Sequence, residues 1–201
     1  MNTLLPLALL ALGTAAPVLA DPSPAQELSL GYSYVHTNAP PDHCGCFSMN
    51  GASAAYQFRL SDSIGIVGDL GVEHAGNVRS SGLDLTLTSV LGGARYTDSH
   101  VAAGRVALFG QALVGVTRAS GGLAAIAPGA HGASTDFSAL VGAGIDIQVS
   151  PRLSLRALEL DYFLTRLPNG VNGYQNNLRA SIGLVFHFGA ATAGQRLSAK
   201  R

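Results

Sequence analysis

Several residues that could bind a metal ion lie close together in Asp42-His43-Cys44-Gly45-Cys46. Imidazole and thiolate groups are common ligands of zinc and copper. A closed metal site normally draws on a second group of ligands elsewhere in the chain, and the sequence offers no such partner cluster. We therefore predict no metal site here. The two cysteines form either a local disulfide or free thiols. A disulfide is conceivable because export would expose them to oxidising conditions.

A second set of residues with chemical potential consists of charged and amide side chains that interrupt apolar segments. They are Asp69, Glu73, Arg95, Gln111, Asp146, Glu159, Asp161 and Arg179. Such groups could form a path for protons or ions. Because an unpaired buried charge is costly, we favour a structural network of ion pairs inside a closed structure.

The elements that would position these side chains are strands, since apolar and small or polar residues alternate with a period of two. The fourth segment is the least regular, because Leu83, Leu85 and Leu87 have the opposite parity to Val90 and Tyr96. A β-bulge would reconcile its two halves. The alternation predicts eight strands, at about 27–36, 47–58, 64–74, 84–96, 106–118, 137–149, 153–165 and 176–188.

The connections between these strands alternate in length. Those at about 36–46, 75–83, 119–136 and 166–175 are long, whereas 59–63 and 150–152 are tight. Short turns at one end and long loops at the other are typical of a transmembrane barrel. The glycine-rich segment from Arg118 to Ser134 lacks the strand and helix that flank a phosphate-binding loop, so we interpret it as an exposed loop. The sequence thus predicts an all-β fold, an eight-stranded antiparallel up-and-down transmembrane β-barrel.

The two faces of the strands favour a membrane over water. The only lysine is Lys200, and only 12% of residues are charged, whereas the outside of a soluble barrel normally carries many charges. Aromatic residues gather where strands 2, 4 and 8 end, as expected of a periplasmic aromatic girdle. The predicted girdle comprises Tyr56, Phe58, Tyr96, Phe186 and Phe188. A soluble lipocalin-like carrier, with an apolar lumen, is the rival fold.

The ends of the chain differ from the middle. Residues 1–20 have an apolar run followed by Pro17-Val18-Leu19-Ala20, which is typical of a secretory signal peptide and its cleavage site. We predict an extended leader at 21–26, the barrel at 27–189 and a short polar tail at 190–201. Twelve basic and twelve acidic residues balance each other, so no nucleic acid partner is expected.

The chain resembles the OmpA-like eight-stranded outer-membrane barrels of Gram-negative bacteria over nearly its whole mature length. The segments that carry the resemblance are Ile66-Val67-Gly68-Asp69, Ala143-Gly144-Ile145-Asp146-Ile147, Leu160-Asp161-Tyr162 and the closing run from Asn176 to Phe188. The resemblance implies the outer membrane as location, with membrane lipid and the barrel-assembly machinery as partners. It implies no single activity. The tail after Phe188 departs from the family, whose barrels commonly finish on an aromatic residue.

We therefore expect a monomer with a polar lumen filled by side chains and no open diffusion pore, since eight strands enclose little more than side chains. Its role would be structural, or recognition of an unknown ligand through the long loops, especially 37–46 and 119–136. The rival function is a barrel enzyme acting on lipid or peptide, with His36, His74 or His131 beside a serine. No motif of a lipid A deacylase, palmitoyltransferase or omptin protease is present. We predict no catalytic residues and no cofactor.

Overall fold

The computed structural model describes residues 26–38, 46–80, 82–122, 132–167 and 173–189. The predicted signal peptide, most of the leader and the polar tail lie outside the described residues, as does most of the Asp42–Cys46 segment. These assignments stay predictions.

Eight antiparallel strands form one closed barrel in which each strand pairs with its neighbours in the sequence and β1 pairs with β8. All eight predicted segments are strands, and most extend slightly beyond the predicted ends. The strands are β1 (Gln26–Asn38), β2 (Phe47–Arg59), β3 (Ile64–Ala75), β4 (Leu85–Val101), β5 (Val106–Ser120), β6 (Ala133–Ser150), β7 (Leu153–Thr165) and β8 (Gln175–Phe188). Short 3₁₀ turns lie at Val78–Ser80 and Ala102–Gly104. Among the described residues, no helix is long and apolar enough to cross a membrane.

The pairing of β1 with β8 closes the barrel, and we call it the seam. Its register runs without interruption from Gln26 opposite Phe188 to Asn38 opposite Asn176. The start of β1 and the end of β8 therefore lie at the same end of the barrel. The short connections lie at this end as well. We call this the turn end, and we call the opposite end, with the long connections, the loop end.

The alternation in the sequence becomes an alternation of exposure. Along β3 every second residue is buried, and the residues between them are exposed. Ile66 and Leu70 are more than half exposed on the outer face, whereas Asp69 and Glu73 are buried inside. A sheet with an apolar outer face and polar groups inside suits a lipid surround, because lipid cannot hydrogen-bond to polar groups.

The bulge predicted in the first half of β4 is absent. The register with β3 is continuous from Ala75 opposite Leu85 to Ile64 opposite Tyr96. Leu85 and Leu87 instead point inward and are buried. The irregularity in β4 lies further along, between Asp98 and Val101. The prediction was wrong because it required Leu85 and Leu87 to share a face with Val90 and Tyr96, whereas the two pairs lie on opposite faces.

The inward leucines belong to an interior that is polar only in part. One buried apolar cluster lies towards the loop end and contains Val35, Met49, Ala75, Val78, Leu85, Leu87, Ala119 and Leu167, with Phe47 packed against it. We call it the loop-end cluster. A second apolar cluster contains Ala55, Val67, Leu91, Leu113, Leu140 and Phe163. The charged side chains therefore occupy an interior that also contains a substantial apolar core.

Candidate functional site in the barrel lumen

The lumen network is organised around Arg179 on β8, whose side chain is almost completely buried. Its Nη1 donates to Asp69 Oδ1 at 2.9 Å on β3, across the lumen. Its Nε donates to Asp161 Oδ2 at 3.0 Å on the adjacent strand β7. A weaker contact of 3.5 Å joins its Nη2 to Glu159 Oε1. One guanidinium thus contacts three carboxylates, because its N–H donors point in several directions.

A second centre is Arg156 on β7, which was not among the predicted residues. Its Nε and Nη2 donate to the two Asp146 oxygens at 2.9 and 3.0 Å. Its Nη1 donates to Glu159 Oε2 at 2.7 Å. The register of β7 with β8 shifts between Arg156 and Glu159. This bulge lets two residues with an odd spacing both point inward.

Two of the arginines lie against one aromatic ring. The guanidinium carbons of Arg95 and Arg156 each lie 4.4 Å from the centroid of the Phe109 ring. Gln111 then joins Arg95 to the acids: its Oε1 accepts from Arg95 Nη2 at 2.6 Å, and its Nε2 donates to Glu159 at 2.7 Å. Each of the two cations gains a favourable contact with the face of the Phe109 ring.

Glu73 lies apart from this network, although the sequence grouped it with the rest. Its Oε1 accepts a hydrogen bond from Ser33 Oγ at 3.0 Å. Its Oε2 is buried and has no hydrogen-bond partner among the described residues, and the same holds for Ser89 Oγ. The structure therefore places all eight predicted residues inside the barrel and joins seven of them in one network, while Glu73 remains separate. Asp146 enters this network through Arg156.

A polar chain crosses the seam at the turn end. Arg59 on β2 forms a salt bridge with Glu27 on β1. Glu27 Oε1 also lies 3.3 Å from His187 Nδ1 on β8, and His187 Nε2 lies 2.8 Å from Ser154 Oγ on β7. The chain thus links four consecutive strands around the closure of the barrel. Sequence reasoning missed it because its members come from opposite ends of the chain.

The five aromatic residues of the predicted girdle lie on the turn-end half of the outer face. Phe58 and Phe188 both pair with Gln26 in the strand register. Tyr56 and Phe186 both pair with Leu28, and Tyr96 pairs with Ile64. These pairings place the aromatic residues of neighbouring strands at similar levels.

Exposed tyrosines also lie towards the loop end, outside the predicted girdle. Tyr34 lies 2.6 Å, oxygen to oxygen, from Ser48 Oγ, and the hydroxyl of Tyr162 donates to Asn176 Oδ1 at 2.7 Å. The hydroxyl of Tyr32 donates in the same way to the side chain of Asn50. Rings with an apolar body and a satisfied hydroxyl suit the boundary between lipid and water.

The described residues contain no group of three or more His, Cys, Asp or Glu side chains placed to hold a metal ion. Cys46 is disulfide-bonded, which decides between the two states left open for it. His36 and His74 lie on the outer face near the loop end, where their Nδ1 atoms contact Ser48 and Thr86. Of the recognition loops, residues 39–45 and 123–131 lie outside the described residues.

No protein-family model matches this sequence, and no curated protein matches it either. Solved structures do match. Neisserial surface protein A has a TM-score of 0.60 and 17% identity, covering 82% of this chain and 99% of its own. Ail, the attachment invasion locus protein of Yersinia pestis, has a TM-score of 0.55 and 16% identity, covering 83% and 99%. The outer membrane protein OprG from Pseudomonas aeruginosa has a TM-score of 0.53 and 10% identity, covering 84% and 98%.

These similarities confirm the predicted fold class, an eight-stranded antiparallel up-and-down transmembrane β-barrel. They also agree with the predicted outer-membrane location, for which the apolar outer face is suited. At these identities the neighbours establish the fold alone, because one fold can have many functions.

Proposed function

We propose that this chain, which has the fold of the OmpA-like eight-stranded outer-membrane β-barrels, is a monomeric membrane protein with a closed lumen and a structural or surface-recognition role. The observation that carries the proposal is the bridging of the lumen by buried side chains. Arg179 joins β8 to β3 across the interior, and its side chain is 1% exposed. In this proposal the barrel is neither an enzyme nor a diffusion pore.

Two layers support a closed lumen. The charged layer around Arg179 and Arg156 contains ion pairs that would have to separate before water and ions could pass. The loop-end cluster forms the other layer, with Met49, Leu87 and Leu167 each no more than 2% exposed. An apolar constriction resists wetting, so it closes a path even where polar groups line the rest.

Recognition in this proposal belongs to the loop end. Ail, a neighbour in fold, has been crystallised with the heparin analogue sucrose octasulfate. In this chain, Arg118 and Arg166 are exposed beside the loop end, and Arg166 lies over the ring of Tyr174 at 5.6 Å. Exposed arginines beside long loops support binding of a surface ligand.

Two measurements test the main proposal. The full-length chain, expressed with its N-terminal segment, is expected in the outer-membrane fraction, where it should migrate differently on SDS gels before and after boiling. In planar lipid bilayers it should produce no stable open channel. Recovery in the soluble periplasm without a gel shift would contradict the membrane placement, and steady ohmic conductance would contradict the closed lumen.

Biogenesis is part of the proposal. The closing strand ends with Phe186-His187-Phe188 at the turn end, with Phe188 exposed. We propose that the barrel-assembly machinery recognises this end despite the residues that follow it. Phe188→Ala is expected to lower the amount of folded protein in the outer membrane, and Tyr174→Ala, at the loop end, is the matched aromatic control.

A barrel hydrolase is the second candidate function, and one observation favours it. Ser154 Oγ, His187 Nε2, His187 Nδ1 and Glu27 Oε1 follow the order of a nucleophile, a base and an orienting acid. Against it, Ser154 is 4% exposed, and the carboxylate of Glu27 is also paired with Arg59. We propose that this chain of contacts fastens the seam rather than performing catalysis.

A fluorophosphonate probe separates the two roles of Ser154. The seam role predicts no labelling of the folded protein and, for Ser154→Ala, a modest loss of stability. Labelling that disappears in both Ser154→Ala and His187→Gln but persists in Ser29→Ala would favour the hydrolase. The soluble-carrier alternative is disfavoured by the exposed apolar side chains around the barrel, such as Val141 at 60% and Ile182 at 53%.

A further inference from the structure

The carboxylates of the lumen outnumber its cations. Arg95, Arg156 and Arg179 are the arginines of the central network. They face five acids, namely Asp69, Glu73, Asp146, Glu159 and Asp161. Nearer the turn end, Arg59 is paired with a further acid, Glu27, and adds nothing to the balance. Uncompensated charge in a closed interior is strongly unfavourable, so the network calls for additional positive charge.

Glu73 is the carboxylate of the lumen that lacks a cationic partner among the described residues. Arg179 already contacts three other carboxylates, and none of the ion pairs among the described residues involves Glu73. Asp69, Gly71 and Glu73 all lie on the inner face of β3, and Asp69 is held by Arg179. Glu73 is 0% exposed, so water outside the barrel does not solvate it.

Oxygen atoms converge beside Gly71, between the two acids of β3. A carbon atom at the Cβ position of Gly71 would lie 2.6 Å from Ser89 Oγ and 3.0 and 3.4 Å from the two carboxylate oxygens of Glu73. Ser89 Oγ and Glu73 Oε2 are buried and have no hydrogen-bond partner among the described residues. Ser33 Oγ, which donates to Glu73 Oε1 at 3.0 Å, is a third oxygen beside the carboxylate of Glu73.

We infer that Glu73, Ser89 and Ser33 form a binding site for a small monovalent cation, with sodium as the ion of choice. Carboxylate and hydroxyl oxygens are ligands of hard cations. One carboxylate without a cationic partner matches a single positive charge. A divalent ion would draw on more carboxylates than this space provides. The bound ion supplies part of the missing charge and coordinates Glu73 Oε2 and Ser89 Oγ, both of which lack a hydrogen-bond partner among the described residues.

The inference goes beyond the closed-lumen proposal and concerns ion occupancy rather than conduction. A sodium ion held beneath the loop-end cluster would stabilise the folded barrel, because a ligand that binds only the folded state raises its stability. This stabilisation by bound sodium does not require that the barrel conduct ions.

The test compares thermal unfolding of the full-length barrel in detergent micelles in sodium chloride and in N-methylglucamine chloride at equal ionic strength and pH. At a sodium concentration of roughly five times the dissociation constant, the unfolding midpoint should rise by about 2–4 °C. Glu73→Gln should abolish this rise, Ser89→Ala should shift it to higher sodium concentration, and Asp62→Asn, an exposed acid in the β2–β3 turn, should leave it unchanged. A heat-dependent gel shift of each variant verifies that it is folded.

The result that would overturn the site is a midpoint that does not depend on sodium, or a sodium effect that survives in Glu73→Gln. A midpoint that rises only as pH falls, and no longer does so in Glu73→Gln, would also overturn it, because a proton would then supply the charge. Bilayer conductance is measured separately, so failure of the sodium site is distinguishable from failure of the closed-lumen proposal.

Discussion

Arg179 and Asp69 are 110 residues apart in the sequence, yet Nη1 of the arginine lies 2.9 Å from Oδ1 of the aspartate. The hydrogen bonds of the sheet join only neighbouring strands, whereas this pair joins β8 to β3 through the interior. The lumen network therefore braces the barrel across its width in addition to filling it.

Replacing the arginine of this pair should weaken the barrel strongly. Arg179→Met removes the cation shared by Asp69 and Asp161 and leaves their carboxylates buried without it, which costs about 3–5 kcal/mol. Urea unfolding in lipid vesicles measures the loss. Arg166→Met is the control, since the exposed contact with Tyr174 contributes less than about 1 kcal/mol. Equal losses in the two variants would contradict a bracing role for Arg179.

A glycine on the inner face and a glycine on the outer face should differ sharply in their tolerance of an added methyl group. On the inner face of β6, Gly142 lies so close to Asp161 that an added Cβ would overlap its carboxylate. Gly142→Ala is expected to cost about 1–3 kcal/mol. Gly68 has open space at the same position, so Gly68→Ala should be neutral or slightly stabilising. Denaturant midpoints in the same vesicles compare the two; a neutral Gly142→Ala would contradict the observed packing.

A charge on the outer face should be costly in proportion to its depth. Val141 lies near the middle of β6 and is 60% exposed, whereas Thr135 lies on the same face near the loop end. Val141→Arg should cost about 2–4 kcal/mol in a bilayer, and Thr135→Arg about 0–1 kcal/mol. Both free energies come from reversible folding into vesicles. Similar small costs for the two would indicate that this face does not contact lipid.

The contact between the β3–β4 loop and the end of β5 should depend on pH. The backbone N–H of Gly122 donates to Asp84 Oδ1 at 2.9 Å, and this hydrogen bond holds the pKa of Asp84 below its ordinary value. A carboxylate with a lowered folded-state pKa stabilises the folded form above its unfolded pKa, near 3.9, and the effect is lost as pH falls through the folded value.

Hydrogen exchange of the Gly122 amide reports on this contact. Its protection relative to neighbouring amides should be constant above about pH 5 and fall below about pH 4, after correction for intrinsic exchange. In Asp84→Asn, whose side chain has no titrating carboxylate, the pH-dependent loss should disappear. A loss of equal size in this variant would assign the effect to another group.

The strands were predictable from the sequence because alternation is a local property. Each segment shows its own period of two, so β7 has the predicted bounds without knowledge of its neighbours. The interior was predictable only in part. The inward side of Leu85 and Leu87 depends on an apolar cluster whose other members come from distant strands.

The network partners show the same limit. Arg156 lies three residues before Glu159, so strict alternation assigns them to opposite faces, and only the bulge brings both inward. One indication that Arg156 points inward was available in the sequence. Arg156 is a charged residue in an apolar segment, and the polar Ser154 lies two residues before it on the same face. The polar chain from Arg59 to Ser154 had no such indication, because closure of the barrel alone brings its members together.

The uninterrupted seam between β1 and β8 has a consequence for the chain order. Gln26 and Phe188 are direct neighbours across that seam, and the closed sheet has no edge strand. A short linker between them, with new termini in the Pro151-Arg152 turn, would keep every strand pairing while making the present β7 the first strand. The architecture is in this sense a ring, and its topology does not require that the chain start where it does.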